Sequence, residues 1–421
     1  MKKVDKIITL LENGQHEEAL NDYKQILKYG SNEARFVLGE ELLHYGFLEE
    51  AKSLFEKLLE AYPEEGELLV LLAETCIDLG DEETAMLALD RIQESDPSYP
   101  QALLLLADLY QMEGLYEVSE QKLLRAKAAL PEEVIVDFAL GELYSEQGKF
   151  IEAIHSYQRV VGIETEIGGV NIHQRLGDAY SAGGAFEEAI PYYEKALEER
   201  LEINTLFSYA LTAYQAGLNK TSIQKFLELK ELDPEYHSLY LYLAKAYEKE
   251  EELDKSLETV RIGIKHDEFN KDLYLLGGKT ALKLGLEDEA EELLRHALVL
   301  DPEFTEAGLT INKLFFQQEK YEEALEIIEL LKSNGVEEPQ LLWDEALVSW
   351  HLERYSQALD KYQQAYTFFK NNTEFLNDYG YFLLEEGKRE EAAEIFSILL
   401  KKDPNNGELE ELLERLAGDF N

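Results

Sequence analysis

The chain has 421 residues, 45% of them hydrophobic and 30% charged, which is enough apolar material to bury a core along its whole length. Its 87 acidic and 40 basic side chains give a net charge of −47, and the acidic excess runs through both halves of the sequence. Such a surface repels phosphate groups, so general nucleic-acid binding and attachment to anionic membranes are disfavoured.

The N-terminus predicts neither secretion nor membrane insertion. After a basic start, the apolar run Ile7–Leu11 is too short for a signal-peptide core and ends in Glu12. No segment approaches the roughly 18 apolar residues of a membrane helix. The one cysteine, Cys76, excludes an intramolecular disulfide and a CxxC motif. We therefore expect a cytoplasmic protein.

A short pattern recurs along the chain: a small residue, a turn residue seven positions later, and a second small residue five positions after that. Gly39, Gly46 and Ala51 form the clearest early copy, and a degenerate first copy carries Gly14 and Ala19. Eight of the eleven intervals between final small residues are 34 residues long. The final small residues lie at positions 19, 51, 85, 119, 153, 189, 222, 256, 290, 324, 358 and 392.

Each copy predicts two amphipathic helices joined by a tight turn, because apolar residues fall at helical spacing on both sides of the turn. In the second copy Leu38 and Leu42 precede Gly46, and Leu54 and Leu58 follow it. The small residues let the two helix backbones approach each other. An all-α chain of twelve helix-turn-helix units follows.

Two segments depart from the repeat. Two extra residues fall within Gly162–Gly169, which is either a tolerated surface insertion or a bend. At the end, residues 405–421 contain one amphipathic helix of the kind that caps repeat arrays. We divide the chain into residues 1–167 (units one to five), 168–404 (units six to twelve) and the capping helix at 405–421.

These repeats resemble the tetratricopeptide-repeat (TPR) family, of the cytosolic bacterial type. The fifth unit is similar to the family pattern at Leu140, Gly141, Tyr144, Gly148 and Ala153. The resemblance covers residues 1 to about 404. It implies a right-handed superhelical solenoid whose inner face is made mainly by the first helix of each pair.

The family's clamp for a chaperone C-terminal carboxylate places Asn two residues before the first small residue. The corresponding residues here contain no Asn and include Val37, Leu71, Leu105, Ala139, Ser208, Tyr242, Leu276 and Thr310. This kind of clamp is therefore not expected.

No motif indicates catalysis, a cofactor or a metal. Gly277–Thr280 ends like a phosphate-binding loop but lies inside a predicted helix and lacks the earlier glycine. None of the eight histidines has another histidine three or four residues away with which to share a metal. We expect no catalytic residues, no cofactor and no metal.

The position after the first small residue faces the groove in this family, and its charge changes sign once along the chain. The acidic residues come first: Glu40, Glu74, Asp108, Glu142 and Asp178. Lysines follow in units eight to ten, together with two more four residues further on: Lys245, Lys249, Lys279, Lys283 and Lys313. Aromatic residues accompany the second half: Tyr214, Phe316, Trp350 and Tyr381.

Two interpretations of this pattern stay open. The residues form a groove with an acidic N-terminal part and a basic, aromatic C-terminal part that holds an extended partner, or they form an ordinary solvated face with Trp343 and Trp350 as core or edge residues. The lysine strip needs its charge offset, either by carboxylates such as Glu248 or by a bound acidic segment, and we expect the second.

The functional prediction is a scaffold that binds a peptide or protein segment in the groove and has no chemistry of its own. The alternative is a regulatory sensor whose curvature changes when a peptide binds. Such sensors usually carry an output module, and none remains once the repeats and the cap are subtracted. The partner is expected to be a protein, with an acidic segment in the C-terminal part of the groove.

Overall fold

The computed structural model describes residues 2–418 and is built almost entirely of helices. It consists of two compact units, which meet in the sequence between Thr212 and Ala213. The helices are α1 Lys2–Glu12, α2 His16–Tyr29, α3 Asn32–His44, α4 Leu48–Leu59, α5 Gly66–Asp78, α6 Glu82–Leu89, α7 Tyr99–Met112, α8 Tyr116–Ala129, α9 Val134–Glu146, α10 Phe150–Val161, α11 Ile172–Ala182, α12 Phe186–Glu199, α13 Ile203–Gln215, α14 Asn219–Leu232, α15 Ser238–Lys249, α16 Leu253–His266, α17 Lys271–Lys283, α18 Glu287–Leu300, α19 Thr305–Gln317, α20 Tyr321–Ser333, α21 Pro339–His351, α22 Tyr355–Phe369, α23 Thr373–Glu385, α24 Arg389–Lys402 and α25 Gly407–Gly418. The all-α prediction is confirmed.

The turn inside each helix pair has the same backbone conformation throughout. The residue predicted as the turn in each of the twelve copies has a positive φ, between 57° and 81°. Nine of these residues are glycine, which adopts this left-handed conformation without steric cost. The other three are Glu251, Glu319 and Glu353. The repeat imposes this conformation even where the side chain opposes it.

The small residues lie where paired helices cross, as predicted. A Cβ added to Gly141 on α9 would lie 2.5 Å from the ring of Tyr157 on α10. In α3 and α4, a Cβ on Gly39 would lie 2.7 Å from Phe55. Both aromatic rings are fully buried. A large partner thus fills the space that the small residue leaves.

The insertion after α10 folds as a short β-hairpin. Strands β1 (Glu166–Ile167) and β2 (Val170–Asn171) pair antiparallel around Gly168 and Gly169, both with positive φ. Ile167 is buried against the core that contains Ile172 and Leu176. The Asn171 side chain caps α11 by accepting from the amide of Gln174, at 3.0 Å. The hairpin is therefore attached to the repeat that follows it.

The last helix, α25, covers the end of the second unit. Leu409 and Leu416 are buried in the same cluster as Phe396 and Leu399 of α24. This agrees with the capping helix expected at 405–421, of which residues 419–421 lie outside the described part. No helix within residues 2–418 has the length and apolar character needed to cross a membrane.

Candidate protein-binding surface

Every side chain predicted to face the groove lies on the first helix of its pair. The acidic residues lie on α3, α5, α7, α9 and α11, and the basic and aromatic residues on α13, α15, α17, α19, α21 and α23. The two sets belong to different compact units.

Four of the five predicted lysines line one cavity in the second unit, of about 640 Å³. We call it the lysine groove. Its cationic residues are Lys245 and Lys249 from α15 and Lys279 and Lys283 from α17. The rest of its lining is Tyr214, Glu248, Asp272, Leu275, Leu276, Leu282 and Glu306. It thus combines four cations, three carboxylates and the apolar side chains of three leucines.

Carboxylates within the groove already offset part of its charge. The Lys283 Nζ lies 2.7 Å from a carboxylate oxygen of Glu248, and Lys279 pairs closely with Glu306. Lys245 is half-buried, with its Nζ over the Tyr242 ring, 5.5 Å from the centroid. Lys249 is exposed and forms no ion pair with any residue in the described range 2–418. Lys249 is the cation most open to a partner.

The fifth predicted lysine, Lys313, lines a neighbouring cavity of about 660 Å³ that we call the aromatic pocket. Phe316 also lines this pocket, and Trp343, Tyr321 and His351 complete its aromatic lining. The rings of Tyr321 and His351 stack 4.2 Å apart. The pocket also contains Leu309, Gln317, Gln340, Asp344, Leu347, Asn372, Glu374 and Asp378.

Two carboxyl groups in this pocket were missed by the sequence analysis. Burial raises the pKa of Asp344 and of Asp378, each to about 6. Hydrogen bonds oppose the shift: Gln340 Nε2 donates to Asp344 at 2.8 Å and Trp343 Nε1 donates to Asp378 at 3.2 Å. The sequence did contain a signal for them. Both residues lie two positions before the first small residue of their unit, and the other units hold mostly apolar or small residues at that position.

The remaining predicted aromatic residues are not part of the lining of either cavity. Trp350 is half-buried among core residues, 5.7 Å from the Phe382 ring, and its Nε1 donates to Glu385 at 2.9 Å. Tyr381 is exposed and packs edge-on against Phe396, at 5.3 Å. Trp343 is buried, although it also lines the aromatic pocket.

In the first unit, four of the five predicted acidic residues line two separate cavities, and Asp178 is not in the lining of either. Glu40 and Glu74 share one of about 430 Å³ with Glu65, Glu67 and Asp96. Asp108 and Glu142 share another of about 430 Å³ with Phe138 and Met112. Burial raises the pKa of both Glu74 and Asp108.

Several of these acids already have partners inside the chain. Tyr157 donates its hydroxyl to Glu142 at 2.6 Å, and Tyr193 donates to Asp178 at 2.9 Å. The Arg175 Nε lies 2.9 Å from Glu142. Both tyrosines are buried and belong to the second helix of the pair. Glu142 therefore helps to hold α9 against α10, and Asp178 helps to hold α11 against α12, in addition to facing the surface.

Comparison with known proteins places this architecture in a family. The chain is 43% identical over 417 residues to the TPR repeat-containing protein YpiA of Bacillus subtilis (strain 168), covering 99% of both sequences. The chain belongs to the tetratricopeptide-repeat family. Models of YpiA-like tetratricopeptide repeats match residues 111–165 and 339–406, and general tetratricopeptide-repeat models match 42–109 and 170–202.

Solved tetratricopeptide-repeat structures are similar over parts of this TPR chain. A protein from Parabacteroides merdae has a TM-score of 0.42 and 18% identity, covering 60% of this chain and 99% of its own. YrrB, described as a TPR protein with an unusual peptide-binding site, has a TM-score of 0.38 and 18% identity, covering 44% and 95%. The 43% identity to a TPR repeat-containing protein and the helix pairs described above make the fold an all-α TPR solenoid. Proteins of this family are generally interaction scaffolds without enzymatic activity.

Proposed function

We propose that this TPR chain binds an extended protein segment along the first helices of its second unit, with an acidic stretch of that segment in the lysine groove. The observation that carries the proposal is the groove itself. It gathers four lysines on two consecutive first helices of a chain whose net charge is −47.

The composition of the groove favours a peptide over other polyanions. Leu275, Leu276 and Leu282 offer apolar contacts between the charges, which suits a segment that alternates acidic and apolar side chains. The carboxylates Glu248, Asp272 and Glu306 would repel a uniformly charged phosphate backbone. The partner class that fits is therefore a protein and not a nucleic acid.

The ion pairs already present determine where the affinity comes from. Lys279 and Lys283 must exchange an intramolecular carboxylate for one on the partner, so their net contribution is small. Among residues 2–418, neither Lys249 nor Lys245 has an ion pair to break. Charge reversal at Lys245 and Lys249 is therefore the sharper perturbation.

The test compares two variants with the same change in net charge. The groove variant carries Lys245→Glu and Lys249→Glu. The control variant carries Lys220→Glu and Lys370→Glu. These two lysines are exposed, and they lie on the second helix α14 and just after the second helix α22, respectively. Fluorescence anisotropy with labelled peptides of alternating acidic and apolar residues should show binding to the parent and to the control. The groove variant should lose binding, and the affinity of the parent should fall as salt is raised.

Equal binding by both variants would assign the peptide to another surface and refute the proposed groove. Binding lost equally in both variants would mean that net charge, and not the groove, is responsible. We also propose that the protein works in the cytoplasm, since its one cysteine, Cys76, is a buried free thiol. Cell fractionation with an antibody to the native chain tests that location.

A further inference from the structure

Three side chains with metal-binding atoms meet at one end of the α15–α16 pair. Glu235 and His237 lie in the turn before α15, and His266 is the last residue of α16. The Glu235 Oε2 lies 3.3 Å from Nδ1 of His266 and 3.7 Å from Nε2 of His237. All three ligand atoms lie within 4.8 Å of one another.

The hydrogen bonds of Tyr240 determine how the His266 ring is oriented. The Tyr240 hydroxyl lies 2.7 Å from the carbonyl oxygen of Pro234, which can only accept, so the hydroxyl donates its proton there. Its oxygen then accepts from Nε2 of His266, at 3.2 Å. The two rings stack with their centroids 4.9 Å apart. The neutral His266 ring therefore carries its proton on Nε2, and the lone pair of Nδ1 faces Glu235.

This is the arrangement that metal-binding histidines adopt. One ring nitrogen donates to a fixed acceptor, while the other is left free for the ion. Without a cation, the lone pair of Nδ1 and the carboxylate oxygen of Glu235 are two acceptors 3.3 Å apart. A cation between them turns this repulsion into attraction.

The spacing of the atoms matches a tetrahedral zinc site. Bonds of about 2.0–2.1 Å from Zn²⁺ to nitrogen and oxygen place neighbouring ligands of a tetrahedron about 3.3–3.4 Å apart. The 3.3 and 3.7 Å separations around Glu235 are close to this value. His237 is exposed, so packing does not fix the position of its ring.

We propose that Glu235, His237 and His266 bind a divalent transition metal, with Zn²⁺ as the best fit. Two imidazoles and one carboxylate suit Zn²⁺ and disfavour Mg²⁺ and Ca²⁺, which prefer oxygen ligands. Three protein ligands leave the fourth position to water or to an outside ligand. The ion would link the turn before α15 to the end of α16, and so join the two ends of one helix pair.

Calorimetric titration of the full chain with ZnCl₂ tests the site. Excess Mg²⁺ in the buffer occupies the abundant surface carboxylates, so that they do not contribute to the signal. The parent should show a one-to-one event. His237→Ala and His266→Ala should each lower the affinity for Zn²⁺ by at least about tenfold, because even the loss of a residue that supports a ligand costs that much. His155 is exposed on α10, and His155→Ala should leave the affinity unchanged.

A second measurement covers the case in which a variant is destabilised. Co²⁺ in place of Zn²⁺ should give the intense visible absorption of a tetrahedral site in the unaltered chain. Tyr240→Phe removes the acceptor that holds His266 and should lower metal affinity by roughly 10–100-fold, with the Nε2-protonated form lost in imidazole ¹⁵N spectra. Two results would overturn the proposal: metal binding that persists in His237→Ala and His266→Ala, or the absence of a one-to-one event in the parent. The cluster would then be only a histidine–carboxylate contact.

Discussion

Glu251 is a non-glycine residue held in a left-handed turn, and replacing it by glycine should stabilise the protein. Its φ is 60°, and the turn is fixed by hydrogen bonds from the Glu251 amide to Glu248, at 3.0 Å, and from the Glu252 amide to Tyr247, at 2.9 Å. Its own side chain is exposed, so truncation removes no packing.

The expected gain is the difference between two opposing effects. The left-handed conformation costs a residue with a Cβ about 1–2 kcal/mol, and glycine removes this cost. Glycine also has more freedom in the unfolded chain, which costs about 0.4–1 kcal/mol. The net prediction for Glu251→Gly is a stabilisation of about 0.5–1 kcal/mol, confined to the α15–α16 pair and its neighbours because repeats interact mainly with adjacent repeats.

Three further variants separate backbone strain from charge. Glu251→Gln removes the charge but keeps the strain, so it should give little change. Asn tolerates the left-handed region better than other side chains, and Glu251→Asn should give an intermediate gain. Gly285→Glu, at the equivalent turn with a φ of 74°, should destabilise by a similar amount.

Urea unfolding followed by circular dichroism gives the overall effect, and amide hydrogen exchange in α15 and α16 gives the local one. Lower stability of Glu251→Gly than of the parent would refute the prediction. A gain in Glu251→Gln as large as that in Glu251→Gly would also refute it, because repulsion between carboxylates, and not backbone strain, would then be the main cost at this turn.

Three other predictions concern the core, the aromatic pocket and the last helix. Ala290 is fully buried against Leu257, so Ala290→Phe should cost about 1–3 kcal/mol and speed hydrogen exchange in α16–α18 more than at the chain ends; uniform loosening would contradict this. The pKa of Asp344, about 6, lies above its ordinary value of 3.8, so the carboxyl favours folding most fully below about pH 4 and loses this contribution as pH rises through 6. Asp344→Asn should therefore gain stability relative to the parent from about pH 4 to 7 in urea titrations, and a difference that is constant with pH would mean that the pKa of this carboxyl is not raised by folding. Deleting residues 407–421 uncovers the surface on which Leu409 packs and should cause self-association in light scattering, whereas a monomeric truncated chain would show that α25 is not a cap.

Much of the candidate surface was predictable because a repeat places equivalent residues on equivalent helix faces. The lysines at 34-residue spacing were expected on consecutive first helices, and Lys245 and Lys279 do line one cavity. The pairing of Lys279 with Glu306, and of Lys283 with Glu248, was not predictable in detail. It depends on which rotamers reach across adjacent helices. Whether the groove holds an acidic segment stays a prediction.

The sequence by itself determined the periodicity, the twelve helix pairs, their turns and the crossings at small residues. These features depend on contacts within about one repeat, so they produce a periodic pattern of residue types in the sequence. Only the tertiary structure decided which polar groups meet between elements. His237 and His266 are 29 residues apart in the sequence, a spacing with no meaning for a metal site until α15 and α16 fold back and bring their ends together. The burial of Asp344 and Asp378 likewise arises from packing by neighbouring units, because the degree of desolvation is a property of the assembled surface and not of the helix that carries the residue.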